Sequence, residues 1–428
     1  MFIGREKELA ILEEKYREER FHLFILYGRR RVGKTTLLKH FCGGKPTLFF
    51  VGEENNDKLS LKRFSEAILN HFGMSGLFES FETWEKAFRF LIEQNQSRKM
   101  VLVLDEFPYL ARANPALPSL LQRLADGPFK ESGIFLVLCG SSMSFMEKEV
   151  LSYKSPLYGR RTGSLVLEPF DFYDSIRFFE RFSQEDLFKT YAILGGIPQY
   201  LESFVDSISV AENIKGSILQ ADKVGEASAK TAKYLNNLLE LRVVERVNPV
   251  DKTEKSRKSL YRIKDNLFRF YYYFITKNYS LLEQGMVDYV YSKLIEPRLT
   301  DYLGKAFEQI CIEYLKRKNT RLELPFVFKQ IGTWWGPNPQ EKREEEIDIL
   351  AISGQKGLFG ECKWRNKLVD MPQFKRLEER SRLLPYDERA FFLFSKSGFT
   401  EELKRVAGNR EDVFLIAYED MLDHRIGS

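Results

Sequence analysis

His22-Leu-Phe-Ile-Leu-Tyr-Gly28-Arg-Arg-Arg-Val-Gly33-Lys34-Thr35-Thr36-Leu-Leu-Lys-His-Phe41 decides the fold of the first part of the chain. A short apolar run bounded by glycine reads as a buried strand, and the segment after Lys34 has helical spacing. Between them Gly28 to Thr35 matches GxxxxGK[ST] at every position, in the strand-to-helix context that phosphate binding requires. The glycines let backbone N–H groups wrap phosphates at a helix N-terminus. Lys34 reaches the β and γ oxygens, Thr35 coordinates Mg²⁺, and Thr36 adjoins it in the same turn.

Further short apolar runs follow at Pro46–Val51, Met100–Glu106, Gly133–Gly140 and Ser164–Phe170, separated by helical patterns. That alternation predicts an α/β fold with a buried parallel sheet. The run Met100-Val-Leu-Val-Leu-Asp105-Glu106 ends in two acids at the edge where parallel sheets bind ligands. Asp105 is expected to hold the metal through water, and Glu106 to orient the attacking water. Ser141, after the run that ends at Gly140, comes to the same edge, and Arg160 or Arg161 is a candidate to stabilise charge in phosphoryl transfer.

These features resemble the archaeal-type P-loop ATPases of the AAA+ and STAND-like group. The resemblance is carried by Phe2-Ile-Gly4-Arg5-Glu6-Lys-Glu-Leu, the Walker pair, Ser155-Pro-Leu-Tyr-Gly-Arg160-Arg161-Thr-Gly and Gly195-Gly-Ile-Pro198-Gln-Tyr-Leu. It implies ATP as the nucleotide, with Gly4, Arg5 and Glu6 around the adenine, Ser141 sensing the γ-phosphate and Pro198 near the base. It leaves open whether Arg160 or Arg161 serves its own site or that of a neighbouring copy in a homo-oligomer.

The chain has 428 residues, of which 43% are hydrophobic and 30% charged, so it must divide into several folded units. The expected boundaries are 1–168 for the ATPase core, 169–216 for a helical lid, 217–290 for a winged helix and 291–428 for a second α/β domain. The formal charge of +5 does not by itself indicate nucleic acid, but Arg242 to Lys264 holds eight basic residues against three acidic. A winged helix with this basic wing fits a duplex, its helix offering Lys230, Lys233, Asn236 and Asn237. The alternative is a solvated hairpin used for protein contacts.

In the last domain Glu346-Ile-Asp348 and Gly360-Glu361-Cys-Lys363 lie on two strands joined by a tight turn. Such an acid, acid, lysine set binds Mg²⁺ or Mn²⁺ and positions a hydrolytic water at a phosphodiester. It resembles the PD-(D/E)xK nuclease superfamily, on a DUF234-type C-terminal domain, and so implies a restriction-endonuclease-like fold. The resemblance adds Glu308 from the preceding helix as a metal ligand and Gln373 from the following one. The departure is Ile347 where the superfamily often has proline.

Other chemistries fail on inventory. Four scattered cysteines and four histidines form no metal-ligand or disulfide pattern, and no GxSxG elbow occurs. No apolar stretch is long enough to span a bilayer, and the N-terminus is charged by its fifth residue, so a cytoplasmic protein without membrane contact is expected. The expected function is Mg²⁺-dependent ATP hydrolysis coupled to DNA binding, with metal-dependent DNA cleavage by the C-terminal domain. The alternative is an ATP-controlled binding or signalling switch whose nuclease-like domain is inactive.

Overall fold

A computed structural model describes residues 2–76, 79–220, 242–252 and 260–422. The chain forms two compact units, one of residues 1–170 with Ile197–Gln199, the other of residues 171–196 and 200–428.

In the first unit, α1 (Glu6–Arg17) precedes β1 (His22–Tyr27), and α2 (Lys34–Cys42) leads to β2 (Thr47–Val51). Helices α3 (Asp57–His71) and α4 (Trp84–Asn95) then lead to β3 (Met100–Asp105). After α5 (Phe107–Ala113) and α6 (Leu117–Asp126) come β4 (Ile134–Gly140) and β5 (Gly163–Val166). The strands pair in parallel in the order β2-β3-β4-β1-β5.

Every residue of β1, β3 and β4 is buried, because helices cover both faces. Alternate side chains divide between two cores. Leu23, Ile25, Leu102 and Leu136 pack with Phe64, Phe88 and Leu121 on one side. Phe24, Leu26, Val103 and Val137 pack with Leu12, Leu37 and Phe41 on the other. This three-layer arrangement places the ends of β1, β3 and β4 along one edge.

The second unit begins with the lid segment, whose main helix is α7 (Gln184–Leu194). A two-stranded antiparallel ribbon follows, β6 (Val244–Val247) with β7 (Leu260–Ile263), in which Glu245 lies across from Arg262. The expected recognition helix with Lys230, Lys233, Asn236 and Asn237 lies outside the described residues, as do Lys255, Arg257 and Lys258 of the wing.

The 25-residue α8 (Glu296–Thr320) then leads into a mixed sheet. Its elements are β8 (Gln330–Asn338), β9 (Arg343–Ser353), β10 (Lys356–Lys363), α9 (Met371–Ser381), β11 (Glu388–Ser395), α10 (Glu401–Gly408) and β12 (Val413–Ala417). The order is β12-β11-β10-β9-β8, with β10, β11 and β12 parallel and β9 antiparallel to its neighbours. Phe374, Leu377 and Leu403 cover one face with Phe359 and Phe391. The apolar stretch Phe326 to Ile331 enters the sheet only from Gln330. Trp334 and Gly336 are the buried residues of β8.

The lid segment packs within this second unit. Phe188 of α7 lies against Trp364 with the rings tilted and their centroids 3.9 Å apart, and meets Phe307 of α8 at 5.9 Å. The Phe172 N–H and the Tyr191 hydroxyl both donate to the half-buried Glu313 carboxylate, at 2.9 and 2.8 Å. Arg317 grips Asp171 through Nε and Nη2 at 2.9 and 2.8 Å.

Candidate functional sites

At the edge of the first sheet the chain leaves β1 through the loop Gly28 to Gly33. A Cβ on Gly28 would stand 2.3 Å from the Leu167 carbonyl oxygen, so only glycine lets the loop approach β5. Gly33 adopts φ 90°, which turns the chain into α2, and its open side faces Pro198 Cγ, 3.7 Å from an added Cβ. Lys34 Nζ donates to the carbonyls of Gly28 and Arg29 at 3.0 and 2.8 Å, across the mouth of the loop. Burial pushes the Lys34 pKa below that of a free lysine, opposed by the nearby Glu106 and Asp105 carboxylates.

Thr35 Oγ1 donates to Asp105 Oδ2 at 2.7 Å. Asp105 is 2% exposed, and its other oxygen accepts the Glu106 N–H at 2.9 Å. Glu106 turns the chain out of β3 with φ 50° and projects toward β4, where its Oε2 accepts the Ser141 hydroxyl at 2.9 Å. A hydroxyl and a carboxylate in contact, beside a loop of backbone N–H groups, form the hard-oxygen donor set that Mg²⁺ takes alongside a nucleotide phosphate. The residues present fit MgATP.

Arg5, with φ 69°, braces this loop from the N-terminal segment. Its Nη2 donates to the carbonyls of Val32 and Glu168 at 3.1 and 2.7 Å, and its guanidinium lies 4.0 Å from the Phe170 ring centre. Gly4 beside it is buried with φ 65°.

Arg160 and Arg161 are not brought to this loop. Thr162 bonds Leu23 and Gly163 pairs with Phe24, so both arginines lie at the opening end of β1, whereas the phosphate loop leaves its far end. At strand rise the separation is roughly 20 Å. Arg160 is held there by Asp126, with Nε and Nη2 each 3.1 Å from a carboxylate oxygen, and Arg161 is exposed.

The second site lies where β9, β10 and α8 converge. Lys363 Nζ is 2.5 Å from Glu361 Oε1 and 3.7 Å from Asp348 Oδ2, and the same Asp348 oxygen accepts the Cys362 N–H at 2.8 Å. Ligand oxygens of Glu308, Glu346 and Asp348 all lie within 4.8 Å of one another. Lys305 Nζ bridges Glu308 and Glu346 at 3.2 and 3.0 Å. Arg380 of α9 reaches Glu345 at 2.7 Å and Glu361 at 3.4 Å.

Glu346, Lys305 and Arg380 were not legible as site residues, because their meeting depends on how α8 and α9 cross the sheet. Glu346 alone left a signal, its period-two spacing from Asp348. Gln373 is not brought into the cluster. Its Oε1 accepts the Asp370 N–H at 3.2 Å and caps α9.

Burial, reinforced by Asp348, raises the Glu308 carboxyl pKa to about 7. Burial, reinforced by Glu361, raises Asp348 to about 6. Burial opposes the Lys363 ammonium, but Asp348 and Glu361 outweigh it and raise its pKa. Crowded oxygen donors that resist ionising without a cation are a donor set suited to Mg²⁺ or Mn²⁺.

The sign of the linkage gives a prediction. Carboxyls titrate near 4 in an unfolded chain, so the native state holds these protons more tightly and loses stability as pH climbs from about 4 through about 7. The apparent Tm without divalent ions should therefore fall between about pH 5 and about pH 8, with Mn²⁺ restoring more of it at the higher pH. Thermal melts at the two pH values, with and without Mn²⁺, check this. A Mn²⁺ shift equal at both would contradict it.

Residues 2–204 match a family described as an ATPase domain predominantly from Archaea. Residues 271–378 match DUF234, described as archaeal and bacterial proteins of unknown function. An uncharacterized protein of Methanocaldococcus jannaschii is 32% identical over 432 residues, covering 91% of this chain and 93% of its own. Among solved structures, a Walker-type ATPase of Pyrococcus abyssi is 20% identical with a TM-score of 0.45, covering 62% of this chain and 94% of that one. The Aeropyrum pernix ORC2 protein is 14% identical with a TM-score of 0.42, covering 66% and 94%. Among the described residues, no helix is long and apolar enough to cross a membrane.

Proposed function

The chain belongs to the family of ATP-binding P-loop ATPases found predominantly in Archaea, with a DUF234 C-terminal domain, and on that premise we propose a Mg²⁺-dependent ATP hydrolase that acts on DNA through its second unit. The observation that carries the ATPase chemistry is the pair of contacts at the sheet edge, Thr35 to Asp105 at 2.7 Å and Ser141 to Glu106 at 2.9 Å.

Gly28 to Gly33 wrap the phosphates, and Lys34 exchanges its loop carbonyls for β and γ oxygens. Thr35 and Asp105 hold the Mg²⁺, which when bound neutralises developing phosphate charge. Glu106 orients the attacking water, and Ser141 links Glu106 to the position of the γ-phosphate. Arg5 positions the loop and the adenine side through Val32 and Phe170. Pro198 closes over Gly33. Arg160 and Arg161, lying away from the chain's own loop, serve the site of a neighbouring copy.

In the second unit Asp348, Glu361 and Glu308, joined by Glu346, hold Mg²⁺ or Mn²⁺. Lys363 positions or activates the water that attacks a phosphodiester. The basic ribbon β6–β7, with Arg246, Arg262 and Lys264, tracks DNA phosphates. Nucleotide state would gate access to this second site, because the lid segment packs on the elements that carry it.

One observation favours a second reading, in which ATP controls binding and the C-terminal site no longer cuts. Lys363 and Arg380 hold Glu361 from two sides, leaving a neutralised carboxylate in place of a free ligand. Mn²⁺ titration of the full chain by isothermal calorimetry separates the two. A second class of Mn²⁺ site, beyond the one that requires ATP, supports cleavage chemistry; its absence supports the switch.

A further inference from the structure

Arg365 stands two residues beyond Lys363, in the loop that leaves β10. Arg365 is half-buried, and its Nε and Nη2 are shut off from solvent and meet no hydrogen-bond acceptor among the described residues. Its backbone carbonyl is fixed by the Ser397 hydroxyl at 2.9 Å. A buried charged donor without an acceptor is costly, so a fold that holds one in place is prepared for an anion that the described residues do not supply. The local charge agrees, since Lys363-Trp-Arg365-Asn-Lys367 carries three cations and no acid before Asp370.

The neighbouring space has the right chemistry for the rest of a nucleotide. β10, β11 and β12 run parallel and end together at Lys363, Ser395 and Ala417, the edge at which such sheets bind ligands. A cavity of about 360 Å³ opens at that edge, walled by Leu368, Phe399 and Leu415, with Ser397, Lys404 and the Asp420 carboxylate on its polar side. Lys363 pairs in register with Ser395, and the chain then bends so that the Ser397 N–H donates to Ser395 Oγ at 3.3 Å.

We propose that this edge is a nucleotide subsite beside the scissile bond, with Arg365 receiving a phosphate and the cavity receiving that nucleotide's base. A base enters such a cavity only when unpaired and unstacked, so the substrate class is single-stranded DNA. The proposal rests on the reading of the second unit as a nuclease and adds to it the strand form and the residues that select it.

The test uses the full chain in EDTA with a single-stranded oligonucleotide carrying 5-iododeoxyuridine, irradiated, digested and mapped by mass spectrometry. A crosslink on the Phe399 peptide is expected, abolished by Arg365→Gln and retained by Arg365→Lys. In cleavage assays with Mn²⁺, Arg365→Gln should raise KM for the single strand about tenfold or more with kcat little changed. Phe399→Leu, which keeps an apolar wall, should remove the crosslink in a folded protein even if Arg365→Gln unfolds.

Crosslinks confined to other segments, or an Arg365→Gln variant indistinguishable from the parent, overturn the subsite. The two layers separate cleanly. A Phe399 crosslink without cleavage by the parent keeps the subsite and ends the nuclease reading, whereas cleavage with no Phe399 crosslink and unchanged KM does the reverse.

Discussion

Glu106→Gln should lower ATP turnover by roughly 10²- to 10⁴-fold while leaving ATP binding nearly unchanged. Glutamine preserves the bond that Glu106 Oε2 accepts from Ser141 at 2.9 Å, and the φ 50° turn after β3 is a backbone property that the substitution does not alter. What it removes is the carboxylate charge that orients and polarises the water. Lys34→Ala acts differently, since it deletes the contact to the phosphates, and should lose binding and turnover together. Equilibrium dialysis with ATP, beside phosphate release, distinguishes them. Normal turnover in Glu106→Gln would contradict the assignment of the base.

Asp348→Asn is the second large effect, and it has opposite signs on stability and on activity. The carboxyl is pushed up to about 6 by burial and by Glu361, so its charge opposes folding at neutral pH. Asparagine keeps an acceptor for the Cys362 N–H and removes that charge. The apparent stability at about pH 8 should rise by roughly 1–3 kcal/mol, while the Mn²⁺-induced shift in Tm disappears and DNA cleavage falls below detection. ATP hydrolysis should be unaffected, since the phosphate loop belongs to the other unit. Denaturant titration and the two activity assays test each part. A variant that is destabilised and still shifted by Mn²⁺ would mean that Asp348 is an ordinary packed acid.

How much could be read from the chain alone depended on whether residues meet through sequence or through topology. Gly28 to Thr35 is contiguous and flanked by a strand and a helix, so its geometry was legible. Thr35 meets Asp105, and Glu106 meets Ser141, from different strands, yet parallel strands that end on one edge make those meetings expected. Asp348, Glu361 and Lys363 were legible for a similar reason, being joined by a tight turn.

Arg160 was not, because its place depends on which end of β5 pairs with the opening of β1. Nor were Lys305, Glu346 and Arg380, which meet only through the crossing of α8 and α9. Gln373 illustrates competition for a polar side chain, since its capping bond to Asp370 occupies the amide. The grouping of the lid segment with the second unit rests on Phe188, Tyr191 and Asp171 finding Trp364, Glu313 and Arg317, pairs separated by more than 100 residues that no local pattern reveals.

The most direct measurement of the two-site claim is cleavage of supercoiled, linear and single-stranded DNA by the purified full chain with Mg²⁺ or Mn²⁺, with and without ATP, beside Lys363→Ala. The account predicts metal-dependent cleavage by the parent that changes with ATP and is absent in Lys363→Ala, whose ATP hydrolysis is intact. No cleavage of any substrate in any nucleotide state, or equal cleavage by Lys363→Ala, would contradict it.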